Sequence, residues 1–281
     1  MPQKHYPKLT DIIVDSYHRV YNELGTYYPE VIYQRALQLA LRTNGLDTKR
    51  EVTFDIFYEE QLVGKHILDM IVADKIVLEL KVAGELTKLH KAQIISYLKA
   101  TGYRLGFLMN FGSTQPEFQP VPNKIPYSLP SKSAERKNDR SDLPFAKLRY
   151  ECIGAGFSVY NALGTGYRYR IYSNAYYFEL QKRNIPFQHF KKIGIYFQNY
   201  RIGESTYHHF LIDDKFIVFT TTIDHFDQID KNSLRKCMRQ HDVSHAIVLN
   251  FQGISLGKYF LKLKKSVLRA GVCYRLKKRK K

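Results

Sequence analysis

Glu79 and Lys81 stand two residues apart at the end of the run Gly64–Lys81, GKHILDMIVADKIVLELK, with Asp69 ten residues before Glu79. The run reads as two apolar strands joined at Ala73-Asp74-Lys75, a hairpin turn. Successive side chains along a strand point to opposite faces, so Glu79 and Lys81 share one face while Leu78 and Leu80 enter a core. A turn centred near Asp74 makes Asp69 and Glu79 cross-strand neighbours. Two carboxylates so close resist ionising together unless a cation lies between them. Oxygen ligands of this kind suit a hard divalent ion such as Mg²⁺. A lysine beside such an ion can hold the attacking water and stabilise negative charge developing on a phosphate. The bland alternative for the same triplet is a solvated salt pair of small value.

The surrounding elements must hold these groups in place. Residues 9–22 carry apolar side chains at helical spacing, with Thr10 or Asp11 available as a cap. A second amphipathic helix is expected over 29–43, with Pro29 in its first turn and Asn44-Gly45 ending it. Residues 50–58 alternate like a strand, the hairpin follows, residues 87–101 form a helix, and 103–110 a last apolar strand. The order is α-α-β-β-β-α-β, with the third helix crossing over to a parallel partner strand.

That order resembles the PD-(D/E)xK nuclease superfamily, of restriction-endonuclease-like fold, and more narrowly its GxxExxY proteins. The name motif falls on Tyr27-Tyr28-Pro29-Glu30-Val31-Ile32-Tyr33, where Glu30 and Tyr33 match and Tyr27 replaces the leading glycine. The likeness runs on through His90-Lys-Ala-Gln93 and Tyr97-Leu98 to Gly106-Phe-Leu-Met-Asn110-Phe111, and covers nearly all of residues 10–112. It implies that Asp69 and Glu79 bind Mg²⁺ or Mn²⁺, that Lys81 positions the water, and that Glu30 and Gln93 are accessory active-site residues. Taken without the resemblance, Glu30 is an acid in a first helical turn, favoured by the dipole. His90 and Gln93, three apart on one helix face, could equally be solvated.

Beyond residue 145 the chain repeats itself. Val20-Tyr-Asn-Glu-Leu-Gly-Thr26 recurs as Val159-Tyr-Asn-Ala-Leu-Gly-Thr165, identical at six of seven positions. Asp74-Lys75 returns as Asp214-Lys215 and Asn110-Phe111 as Asn250-Phe251, so the second half should share the fold of the first. The chemical positions do not return. Glu30 becomes Tyr169, Asp69 becomes His209, Glu79 becomes Phe219, Lys81 becomes Thr221, His90 becomes Asp230 and Gln93 becomes Ser233. A phenylalanine cannot ligand a hard cation. His208 and His209, adjacent in a strand, face opposite ways and cannot chelate one ion together. The three cysteines, Cys152, Cys237 and Cys273, make no CxxC pair and read as reduced thiols rather than disulfides or zinc ligands.

The expected fold is therefore α/β, two tandem α-β-β-β-α-β domains, each a mixed central sheet flanked by helices. A nuclease-like domain at 1–112 is followed by a Pro-rich linker at 113–145, which holds six of the ten prolines, and by a degenerate repeat with a basic tail at 146–281. The net charge is +18, of which residues 258–281 supply 11 with no Asp or Glu. That tail suits a polyanion such as nucleic acid or serves as a solubilising terminus. No apolar run is long enough to span a membrane and the N-terminus lacks a secretory h-region, so a cytoplasmic protein is expected. The implied function is Mg²⁺- or Mn²⁺-dependent hydrolysis of nucleic acid, DNA above all, by the first domain. The second is inactive and serves as a structural or substrate-docking copy, and a homodimer is left open. The competing class is a non-catalytic nucleic-acid-binding or complex-assembly module on a nuclease scaffold, suggested by the degenerate copy, the basic tail and 22 tyrosines able to stack on bases.

Overall fold

A computed structural model describes residues 6–123, 144–198 and 200–263. Two units make up the chain: one of residues 1–133 with Leu163–Tyr167, the other of the remainder.

In the first unit, α1 (Pro7–Leu24) and α2 (Glu30–Thr43) precede β1 (Thr48–Tyr58), β2 (Gln61–Val72) and β3 (Ile76–Lys81). Then come α3 (Lys88–Thr101), β4 (Leu105–Asn110) and β5 (Glu117–Pro122). The sheet runs β1-β2-β3-β4-β5, antiparallel throughout except for the parallel pair β3/β4 that α3 connects. Ala73 and Asp74 take φ of 51° and 50°, the left-handed pair that a two-residue hairpin turn requires, and the Lys75 amide closes it on Val72 O at 3.0 Å. Thr87 caps α3 by accepting from the His90 amide, while His90 Nδ1 accepts from the Thr87 amide. Gly106 lets α3 lie close on β4, since a Cβ there would meet Ile94 Cδ1 at 2.7 Å.

The core under α1 and α2 is built from Tyr17, Tyr33, Leu37, Met70, Leu78, Leu80, Phe107 and Phe111. Tyr33 stacks on Phe111 with centroids 4.5 Å apart, and the buried Tyr17 hydroxyl donates to Asn110 O at 2.5 Å. One boundary differs from expectation. The sheet continues past 112 into β5, so part of the proline-rich stretch is a strand. Asn123 N donates to Arg104 O, which places the even-numbered nitrogens on the open edge. Pro120 and Pro122 therefore cost the ladder no hydrogen bond, the edge position where proline is tolerated. The rest of the expected linker, 124–143, and the tail from 264 lie outside the described residues.

The second unit repeats the plan. Helices α4 (Ala146–Leu163) and α5 (Tyr169–Lys182) precede β6 (Phe187–Phe197), β7 (Tyr200–Ile212) and β8 (Phe216–Thr221). These are followed by α6 (Lys231–Gln240), β9 (His245–Asn250) and β10 (Gly257–Lys262). The sheet order is β10-β9-β8-β7-β6, again with one parallel pair, β8/β9. Individual interactions repeat with it. Tyr172 stacks on Phe251 at 4.5 Å, Asp213 and Asp214 hold the left-handed turn, and Asn250 bonds the Ile223 backbone as Asn110 bonds that of Ala83. Among the described residues no helix is long and apolar enough to cross a membrane.

Candidate active site

The register Met70↔Leu78 puts Asp69 opposite Glu79 at the point where β2 and β3 part. Asp69 Oδ2 accepts the Leu80 amide at 2.8 Å, so a side chain takes over from the backbone carbonyl there. Glu79 is 5% exposed, and its Oε1 receives Lys81 Nζ at 2.6 Å. Glu30, first residue of α2, is held by Gln34 Nε2 at 3.2 Å.

The electrostatics bind the four groups into one unit. Burial, with Asp69 beside it, pushes the Glu79 carboxyl up to about 8. Asp69 is raised by burial despite the Leu80 amide and Lys81, and Glu30 by burial and by the charge of Asp69. Burial alone would lower Lys81, but Glu79, Asp69 and Glu30 together hold it above its ordinary value. Three carboxylates and one ammonium leave an excess of negative charge in a largely enclosed place. A hard divalent cation is the charge that such oxygen donors fit.

Gln93 stands apart from this set. Its Cβ and Cγ lie against Gly166 of the same unit, and no hydrogen bond joins it to the carboxylates among the described residues. His90 is occupied in capping α3, and burial together with Lys81 holds its imidazole below the ordinary value.

A family model of the PD-(D/E)XK nuclease superfamily matches residues 7–121 and, a second time, residues 146–260. The chain belongs to that superfamily. The double match agrees with the internal duplication, and nucleases of the PD-(D/E)XK superfamily usually use divalent metal ions. A search of curated proteins gave no match. Among solved structures, the crystal structure of SSO0001 aligns at 21% identity with a TM-score of 0.29, over 42% of this chain and 63% of that one. The chain thus spans less than two thirds of that protein, and at such a score the likeness adds nothing to the superfamily assignment.

Within the superfamily fold, the second unit pairs His209 with Phe219 where the first has Asp69 and Glu79. Phe219 is buried and extends the core under α6. Two groups near the first site escaped sequence reasoning. Glu51, on β1 with φ 51°, adds negative charge that raises Asp69 further. Gln34 anchors Glu30. Glu51 falls opposite Asp69 in an unbroken β1/β2 register, flanked by Arg50↔Met70 and Val52↔Leu68, but its left-handed backbone departs from the extended strand, so period-two alternation gives no sign of its direction. Gln34 could have been found, being four residues after Glu30 on the same helix face.

Proposed function

We propose that this chain is a Mg²⁺-dependent nuclease that hydrolyses phosphodiester bonds of DNA in its first unit, with Mn²⁺ as a substitute ion. The observation that carries the reading is the facing pair Asp69 and Glu79, the second buried and bonded to Lys81, replaced by His209, Phe219 and Thr221 in the duplicate. Asp69 and Glu79 would hold the ion, which supplies a Lewis acid for the phosphoryl oxygen and a more acidic bound water. Lys81, fixed by Glu79, orients the water and offsets charge gathering on the phosphate in the transition state. Glu30, raised by burial and by Asp69, would take the proton of the attacking water. Gln93 is assigned a share in positioning substrate on the α3 side.

The second unit then has no hydrolytic role. Its β6–β7 hairpin exposes Phe197, Tyr200 and Ile202 beside Arg201, a set that can stack on bases and meet phosphate, and this favours substrate docking there. Buried Cys152 and Cys237, neither in a disulfide, accord with a cytoplasmic location.

The test combines calorimetric titration of Mn²⁺ with cleavage of DNA and RNA by wild type, Asp69→Ala/Glu79→Ala and Lys81→Met. One ion per chain, lost in the double variant, is expected. Cleavage should fall at least about a hundredfold in either variant, the scale of losing a charge stabiliser in a transition state. Full cleavage by the double variant would overturn the assignment. Nucleic-acid binding indifferent to both substitutions, with no cleavage under any divalent ion, would favour the non-catalytic binding module.

A further inference from the structure

His209, Cys237 and His241 bring one imidazole, one thiol and a second imidazole within 4.8 Å of one another. We propose that these three residues of the second unit form a Zn²⁺ site with a fourth position for water. The site stands where the first unit carries Asp69, yet its donors are nitrogen and sulfur instead of carboxylate oxygen.

The geometry begins with strand alternation. His208 faces Tyr169 and His189, whereas His209 faces α6, so the adjacent histidines do not share an ion. The partners of His209 come from the helix. Cys237 lies on α6 and His241 is its C-cap residue, four positions on and therefore on the same face. His209 Nε2 lies 2.9 Å from His241 Nε2. His209 Nδ1 lies 3.1 Å from the Tyr207 carbonyl oxygen, which can only accept. The ring proton is therefore on Nδ1, and the lone pair of Nε2 points at His241. A backbone carbonyl fixing the tautomer in this way is the usual outer support of a ligating histidine.

Two imidazoles nose to nose can share one proton or one cation. The third donor favours the cation, because a thiol beside two imidazoles completes a mixed N/S set of the kind zinc takes. Zinc bonds of about 2.0–2.3 Å place tetrahedral donors roughly 3.3–3.7 Å apart, so the imidazole nitrogens, now 2.9 Å apart, must open by about 0.4 Å while the longer separations close by at most about 1 Å. Phe190 stacks on His209 at 5.0 Å and Phe219 lies 5.9 Å from it, forming an apolar shell. His209 and Cys237 are buried while His241 is half-buried, which leaves an entry path on the His241 side. Binding releases the thiol proton to solvent and staples β7 to the end of α6.

The test uses the full chain, stripped with chelator and titrated with Co²⁺ as a spectroscopic stand-in for zinc. One Co²⁺ per chain with a thiolate charge-transfer band, displaced by Zn²⁺, is expected. The band should persist in Asp69→Ala/Glu79→Ala, which separates it from the carboxylate site, and vanish in Cys237→Ser. His241→Ala, at a half-buried position, should weaken binding at least about tenfold with an unchanged circular-dichroism spectrum. No thiolate band in the wild type, or a band that survives Cys237→Ser, would overturn the proposal.

Discussion

Glu79 is where burial and charge meet most sharply, and the consequence is a stability that depends on pH. Its folded carboxyl is raised to about 8 from an ordinary 4.5. The folded, metal-free protein therefore keeps a proton that the unfolded chain gives up between these values, and folding is weakened as pH rises through that window. We expect the thermal midpoint measured in chelator to fall from pH 5 to pH 8, and Glu79→Gln to flatten the fall. Saturating Mn²⁺ should reverse it, as the ion takes the proton's place. A pH slope untouched by the substitution would locate the proton elsewhere. Lys81→Met should carry the fall to higher pH, because it removes the ammonium that opposes the rise of the Glu79 carboxyl. The placing of Asp69 across from Glu79 was legible in the sequence, since strand alternation and one turn fix it. The surroundings of Gln93 were not, because they depend on Gly166, far away in the chain.

Helix α3 shows how an element can claim a residue that looks chemical. His90 falls in the stretch that resembles the superfamily, yet its ring nitrogen and backbone amide are both engaged with Thr87 at the helix start. His90→Gln supplies another acceptor at the same capping position, so cleavage within about twofold of wild type and a stability change below about 1 kcal/mol are expected. A large loss of rate with the fold intact would make His90 part of the chemistry. The order of helices and strands was legible from periodicity because each element buries one face. Strand β5 was not, since its prolines signal a breaker unless the strand lies at an edge and their nitrogens face outward. Asn110 carried a clearer signal. It recurs as Asn250 in a copy stripped of the carboxylates, which marks it as a support of the fold, and both asparagines bond the backbone beyond the third strand of their unit.

For the molecule as a whole, charge is distributed unevenly along the chain, and salt should reveal it. Residues 264–281 hold nine Lys and Arg without an acid. Deleting them should weaken nucleic-acid binding and make its dependence on salt shallower by several units of logarithmic slope, leaving the Mn²⁺ titration of the chain unchanged. An unaltered slope would reduce the tail to a solubilising terminus. The duplication also has a consequence for folding. A chain that carries one strand order twice can pair strands across copies as it collapses, the characteristic failure of repeated domains. Here the wrong pairing is penalised by composition. Were β8 to lie beside β2, Asp69 would face Phe219 in a dry interior with no lysine two residues on. Were β3 to lie beside β7, Glu79 would face His209 and its stacked Phe190 in place of Asp69. The residues that divide the two copies by chemistry thus also tell each strand which partner is its own.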